Sequence, residues 1–300
     1  MSPILAVDLG GTQMRTALVD HDGGLLVRRA EPTPHDAACP DALLLLVGGV
    51  MEDAGVQDAV IGVPGRVNYG SGALEYAPNL PPGWAAALTE ANLSAVLGLR
   101  VSLANDADLA AVGEARFGAG RGHADVVYVT ISTGIGVGVI LGRLLVHGRR
   151  SLAEAGQTII DRTAVTASAP ATLEDQGSGT ALGRLAAEAG LEGSGAGLVE
   201  LVEAGDPTAV RIWGSVAEAA GIGIANLAHL FSPEIVVVGG GVARAGELLM
   251  GPIRTALARL GPRHLASGIE VVRAALGDDA GLAGAAGWSD AVVRGAPSHV

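Results

Sequence analysis

Hydrophobic and polar positions change rhythm several times along this chain, and each rhythm predicts an element. Residues 4–8 form a short apolar run suited to a buried strand, Gly10-Gly11 breaks it as a turn, and 14–19 reads as a returning strand. A second turn at 20–24 leads into a third strand, 25–29. Helical spacing follows over 42–54, then strands at 59–63 and 101–103, the latter meeting Asn105-Asp106. An Ala/Leu-rich helix is predicted over 107–117, closed by Gly118 and Gly120.

At residue 125 the pattern begins again. A strand (125–131), a glycine turn (132–136) and a returning strand (137–141) repeat the opening strand, small-residue turn with a Thr, and strand. This weak internal repeat predicts two related α/β domains with a cleft between them. Helices are expected over 180–189, 198–203 and 207–230, then a strand (234–238), the run Gly239-Gly240-Gly241 and a helix from Ala245. A strand (269–274) and a small-residue helix (280–288) complete the pattern, with no structure expected after Gly295.

Composition narrows the function classes. Three hundred residues exceed what one core usually serves, since single cores stop growing at about 250–300 residues. The net charge of −12 argues against nucleic acid or an anionic membrane as partner. It leaves nucleotide binding open, because backbone N–H groups and Mg²⁺ can hold phosphates. All 19 basic residues are Arg and none is Lys, which rules out a Walker A loop, a protein-kinase strand lysine and Schiff-base chemistry. Cys39 stands alone, so no intrachain disulfide or thiolate zinc cluster can form. No apolar run approaches the ~18 residues of a membrane span, and the first residues lack a signal-peptide pattern, so a cytoplasmic location is expected.

Five places carry candidate chemistry. In Asp8-Leu9-Gly10-Gly11-Thr12, Gly10 and Gly11 would let backbone N–H groups approach phosphate, Thr12 adds a hydroxyl, and Asp8 suits Mg²⁺ held through water. An ordinary hairpin with an Asp at its corner has the same local signature. Ser132-Thr133-Gly134-Ile135-Gly136 offers the same donors from Thr133 and Gly134, ahead of a strand and so not as a dinucleotide fingerprint. Gly239, Gly240 and Gly241 follow an apolar strand, where a nucleoside could lie against backbone or where a tight connection needs glycine. Asn105 is an N-cap by type, and Asp106 would gain roughly 0.3–1 kcal/mol from the helix dipole. The same dipole would keep Asp106 ionised as a base for an attacking hydroxyl. Glu154 and Glu174 could accept hydrogen bonds from vicinal hydroxyls, although solvated surface Glu is commoner.

These pieces together resemble the ROK family (repressors, open reading frames, kinases) of the actin-like ATPase superfamily. The likeness runs from Ile4 to about Trp288. It is carried by Asp8–Thr12, Gly62-Val63-Pro64-Gly65, Ala77-Pro78-Asn79-Leu80, Asn105-Asp106-Ala107, residues 114–120, Thr133–Gly136, residues 233–241 and Asp279-Ala280-Gly281. The resemblance implies an α/β fold of two actin-like ATPase (ribonuclease H-like) lobes with an interlobe cleft. One lobe, 1–117 joined by a C-terminal helix near 280–295, would carry sugar-binding and catalytic residues, and 118–279 would bind nucleotide. It implies an ATP-dependent hexose kinase using Mg²⁺ and acting on glucose or an N-acetylhexosamine, with Asp106 as general base, Gly65, Asn79, Asn105, Glu154, Gln157 and Glu174 around the sugar, and a homodimer. Phosphates would meet the turns at Gly10–Thr12 and Thr133–Gly136, and the nucleoside Gly239–Gly241. A polyphosphate-dependent glucokinase and a non-catalytic sugar sensor share these motifs.

One departure stands out. Where most members carry a His followed by a Cys-x-Cys-Gly-x-x-Gly-Cys zinc motif, this chain has Gln157 and neither Cys nor His through Leu173. The loop that aims Glu174 is therefore expected to be held by packing of Ile159, Ile160, Val165 and Leu173. Elemental analysis of the purified protein is expected to show no stoichiometric zinc; one zinc per chain would contradict this reading.

Overall fold

A computed structural model describes residues 2–51, 55–191, 195–263 and 268–292. The expected helical positions 52–54 and the tail after Gly295 lie outside the described residues.

Twelve strands are described: β1 Ile4–Leu9, β2 Gln13–Val19, β3 Leu25–Pro32, β4 Asp58–Val63, β5 Arg66–Asn68, β6 Ala73–Tyr76, β7 Arg100–Asn105, β8 Val126–Ile131, β9 Ile135–Leu141, β10 Leu144–Leu145, β11 Ile235–Gly239 and β12 Glu270–Arg273. Ten of them form two five-stranded sheets, in the orders β3-β2-β1-β4-β7 and β10-β9-β8-β11-β12. In the first, β1 pairs antiparallel with β2 and parallel with β4, and β4 continues parallel to β7. In the second, β11 lies parallel to both β8 and β12. The matching orders are the structural form of the repeat read from the turns. β5 and β6 make a separate small hairpin.

Contacts divide the chain into two compact units, Met1–Ala124, Gly138–Ala153 and Ala275–Val300 in one, Asp125–Val137 and Glu154–Ala274 in the other. The expectation above ran the second lobe unbroken from 118 to 279. In the first unit β1 and β4 are nearly continuous apolar runs, as parallel strands covered on both faces must be. Their side chains pack with Leu43 and Leu46 of the helix Cys39–Met51 and with Leu103 of β7. β3 is the edge and is mostly exposed, with Arg28 and Arg29 breaking its apolar character. In the second unit the 25-residue helix Pro207–Phe231 starts on Asp206, whose carboxylate accepts from Thr208 and Ala209 N–H, with Pro207 pre-set at the first position. Among the described residues no helix is long and apolar enough to cross a membrane.

Short polar elements escaped the periodic reading. The β5–β6 hairpin, the helix Glu90–Leu97 with its Thr89 cap, and the helices Arg162–Thr166 and Leu173–Gly177 are each too short to display a period. The segment aiming Glu174 is also held differently from the expectation. Ile159 is 63% and Val165 48% exposed, so of the proposed packing residues only Leu173 is buried. Hydrogen bonds do the holding. Ile159 bridges Thr172, Leu173 N–H donates to Thr158 O at 2.8 Å, Ile160 N–H to Ala171 O at 3.0 Å, and Thr172 with Asp175 forms a capping box.

Two helices of the first unit, Asp106–Phe117 and Ala280–Ala291, cross at glycines. A Cβ on Gly284 would collide with Leu109 O, and one on Gly113 with Ala280 O. Gly281, on the same helix, has no neighbour within 4 Å of such an atom. Gly284→Ala is therefore expected to cost about 1–3 kcal/mol as the helices are forced apart, while Gly281→Ala costs nothing measurable. Urea unfolding checks the pair, and equal midpoints for both variants would refute the crossing.

Candidate active site

The site residues of the first unit gather because three parallel strands end at one edge. Asp8 of β1 is in register with Gly62 of β4, and Val63 of β4 with Asn105 of β7. The carboxyl ends Asp8-Leu9, Val63-Pro64-Gly65 and Asn105-Asp106 thus share the edge where ligands of open α/β sheets bind. Gly62 admits this closeness, since a Cβ there would lie 4.0 Å from Asp106 Cα and 2.9 Å from Leu109 Cδ1. The first turn is stapled by a residue the sequence did not single out. Thr33 Oγ1 donates to Gly10 O at 2.6 Å, and Thr33 N–H donates to Thr12 O at 3.0 Å. Gly11 passes so close to Asn79 that a Cβ would strike the Asn79 carbonyl. Gly65, at φ 88°, abuts the Tyr76 carbonyl and accepts a 2.9 Å hydrogen bond from Asn105 Nδ2. Asp8, Gly10, Gly11, Thr12, Gly65, Asn79, Asn105 and Asp106 are therefore one neighbourhood.

Asn105 caps the following helix as its type predicts. Its Oδ1 accepts from Ala107 N–H at 2.8 Å and Asp108 N–H at 3.1 Å, and the residue is 2% exposed. The amide therefore serves the fold before it serves any ligand. Asp106, next in the chain, keeps an exposed side chain. Its carboxyl is nonetheless pushed up to about 7, first by burial and then by the neighbouring Asp8 carboxylate, against a bond from Ala107 N–H. Burial thus outweighs the helix-start N–H bond that lowers it. Asp8 is itself raised by burial, opposed by Arg15, whose Nη1 bonds Oδ2 at 3.1 Å. Arg15 was missed because its partner lies across the hairpin, opposite in register, not beside it in sequence.

The second unit gathers the remaining candidates. β8 and β11 run parallel, with Thr130 opposite Gly239, so the Thr133–Gly134 turn and Gly239–Gly241 leave from one edge. Thr180, at the start of the helix Gly179–Glu188, anchors the turn through Oγ1 to Thr133 O at 2.8 Å, and Gly179 N–H donates to Ser132 O at 2.7 Å. Glu174 joins the same turn. Its Oε2 accepts from Ile135 N–H at 2.8 Å and fills the space a Cβ on Gly134 would need, while Gln157 Nε2 donates to Oε1 at 3.0 Å. Gln157 ends the 3-10 segment Ala153–Gln157, which includes Glu154. The triple glycine has mixed causes. Gly239 lies against the Tyr128 ring, and Gly240 takes φ 88° over the Ile131 carbonyl. Gly241 alone has room, with only Ser132 Oγ at 3.8 Å. β11 then enters the 3-10 turn Val242–Ala245 before the helix Glu247–Leu260, a longer connection than the expected direct start at Ala245. Among the described residues no group of three or more His, Cys, Asp or Glu could hold a metal ion.

A family model described as the ROK family matches residues 4–292. The chain belongs to the ROK family. Its similarity to the glucokinase of Thermotoga maritima is 33% identity across 94% of this chain and 96% of that protein. Among solved structures, a ROK family glucokinase from Streptomyces griseus in complex with glucose and AMPPNP has TM-score 0.79 and 34% identity, covering 95% of this chain and 98% of that one. A ROK hexokinase from Thermus thermophilus has TM-score 0.81 and 31% identity, covering 96% and 98%. These likenesses span both units of this ROK chain, so neither half of its candidate chemistry rests on a local motif alone.

The raised Asp106 carboxyl has a definite sign. A group held above its unfolded value stabilises the fold at low pH and loses that contribution as pH rises through about 7. Carboxyl ¹³C NMR is expected to place the Asp106 titration near 7, moving lower in Asp8→Asn, where the like charge is gone. A midpoint near the ordinary aspartate value of about 3.9 in the intact protein would contradict this.

Proposed function

We propose that this chain transfers the γ-phosphoryl group of MgATP to a hydroxyl of a hexose, glucose being the first candidate, with Asp106 as general base. The observation that carries the reading is the exposed Asp106 carboxylate beside Asp8 where β1, β4 and β7 end. Full-length similarity to a glucokinase supports the substrate class. The acceptor chemistry draws on Gly65, Asn79 and Asn105 beside the base, with Glu154, Gln157 and Glu174 as the further candidates for sugar hydroxyls. The donor chemistry draws on the turns at Gly10–Thr12 and Thr133–Gly136 and on Gly241. A sugar hydroxyl gives its proton to Asp106 as its oxygen bonds the γ-phosphorus and ADP leaves. Because the transition state of phosphoryl transfer is loose, orienting that hydroxyl counts for more than strong basicity.

Mg²⁺ arrives with ATP and neutralises phosphate charge. Oxygen donors suit it, and Asp8 would hold it through water, with Arg15 occupying one carboxylate oxygen. Polyphosphate is the less favoured donor. The two Arg pairs that could form a polyanion track each have a member tied to a carboxylate, Arg28 to Asp279 and Arg150 to Glu75. Family membership supports a homodimer.

Asp106→Asn is expected to lower turnover by at least ~10²-fold, the scale of lost general-base catalysis, while nucleotide binding persists. A panel of hexoses with ATP or polyphosphate, read by sugar-dependent ADP or sugar phosphate, identifies donor and acceptor. Sugar binding without phosphorylation from either donor would make the chain a sensor and defeat the kinase reading.

A further inference from the structure

Beneath the proposed base lies a buried carboxyl that the reaction does not use. Asp108 is 0% exposed, on the helix Asp106–Phe117 and two residues beyond Asp106. Tyr69 Oη donates to its Oδ2 at 2.6 Å, and its Oδ1 has no hydrogen-bond partner. Burying a carboxyl with an oxygen unsatisfied is costly and calls for a reason. The same phenol oxygen accepts from Asn105 N–H at 3.2 Å. One hydroxyl thus spans the end of β7 and the first turn of the helix, the two backbone segments that meet at Asp106. Tyr69 follows β5, and its ring sits edge-on to His147 at 5.1 Å between centroids and tilted against Trp288 at 5.8 Å. The hydroxyl is therefore delivered by a fixed ring. Ser151 also reaches both partners.

We propose that Tyr69 and Asp108 are a positioning pair for Asp106, locking the strand-to-helix corner so that the base presents one orientation to the acceptor hydroxyl. This rests on the reading of Asp106 as the base. Neither residue touches substrate; both act through the Asn105–Asp106 backbone. Burial keeps the phenol protonated and holds Asp108 up at about 6, so the pair presents a donor and an acceptor at neutral pH. Gly65 is bound to Asn105 from the same loop region. The corner is thereby gripped by the side chains of Asn105 and Tyr69 together.

The test compares Tyr69→Phe, Asp108→Asn and Asp108→Ala with the parent enzyme and with Asp106→Asn in steady-state phosphorylation of the best hexose. Tyr69→Phe keeps the ring packing and removes only the bridge. It is expected to lower kcat by about tenfold or more, within the ~10²-fold range of a misplaced catalytic group, and to leave KM for MgATP within about twofold. Asp108→Asn still accepts from the phenol and is expected to exceed Asp108→Ala in kcat by at least about fivefold, a rescue by the conservative variant. A Tyr69→Phe kcat within twofold of the parent, or equal kcat for the two Asp108 variants, would overturn the pair while leaving an inactive Asp106→Asn to uphold the base. Near-normal turnover in Asp106→Asn would remove the base and the pair together.

Discussion

Asn105 holds the first unit's chemistry in place through one carboxamide and one peptide N–H. Its oxygen satisfies two of the N–H groups that any helix start leaves orphaned, its nitrogen holds Gly65 O, and its backbone N–H meets Tyr69 Oη. Three side-chain hydrogen bonds at a residue 2% exposed make substitution costly beyond the ~1 kcal/mol of a lost cap, because each of their partners would be stranded inside. The direction of Asp106 follows from this, since the residue after a fixed cap has little freedom of its own.

The first unit also shows how differently buried carboxylates can be accommodated. Glu114, 0% exposed, accepts from Ala119 N–H at 2.8 Å, Ala275 N–H at 3.1 Å and Leu276 N–H at 2.7 Å, so backbone dipoles replace a counter-ion. Asp8 has a guanidinium. Asp106 has neither, only its own helix start, and burial first and the nearby Asp8 charge second push it up to about 7. Glu114 is met by three backbone donors, whereas Asp106 and Asp108 keep fewer partners and are both raised. This contrast separates Glu114 from Asp106 more firmly than their motifs do.

Much of the architecture was legible in the chain. Apolar runs ended in small-residue turns, and strands β1, β2, β4, β8 and β11 fall within a residue or two of their expected positions. The repeat of strand, turn and strand anticipated two related α/β halves, and the two sheets share one strand order. What was not legible were relations set by register and by close approach. Arg15 reaches Asp8 only because β1 and β2 pair opposite one another, Thr33 staples a turn twenty-three residues earlier, and Tyr69 and Asp108 lie thirty-nine apart. No local pattern encodes such pairs. The glycines were legible as important, and close contacts add a reason that the sequence does not show. Gly10, Gly11, Gly134, Gly239 and Gly240 are each crowded by neighbouring protein atoms, whereas Gly241 has room.

The segment before Glu174 shows what the absence of Cys and His between Gln157 and Leu173 requires of the fold. Without thiolates to cross-link it, the stretch must be fixed by weaker bonds, and two exposed apolar side chains show that packing does not suffice. Backbone hydrogen bonds from Ile160 and Leu173, the Ile159–Thr172 bridge and the Thr172–Asp175 capping box form a mutually supporting set. Each is worth on the order of 1 kcal/mol alone, but they share residues, so none can open without loosening the next. The set ends at the helix whose second residue is Glu174, and Glu174 in turn closes on Ile135 N–H and Gln157. Gln157 is thus more than a vacancy in a metal site. Its amide donates to the carboxylate that a metal-bound loop would otherwise have to aim, and a neutral amide holds that contact without a change of charge near pH 7.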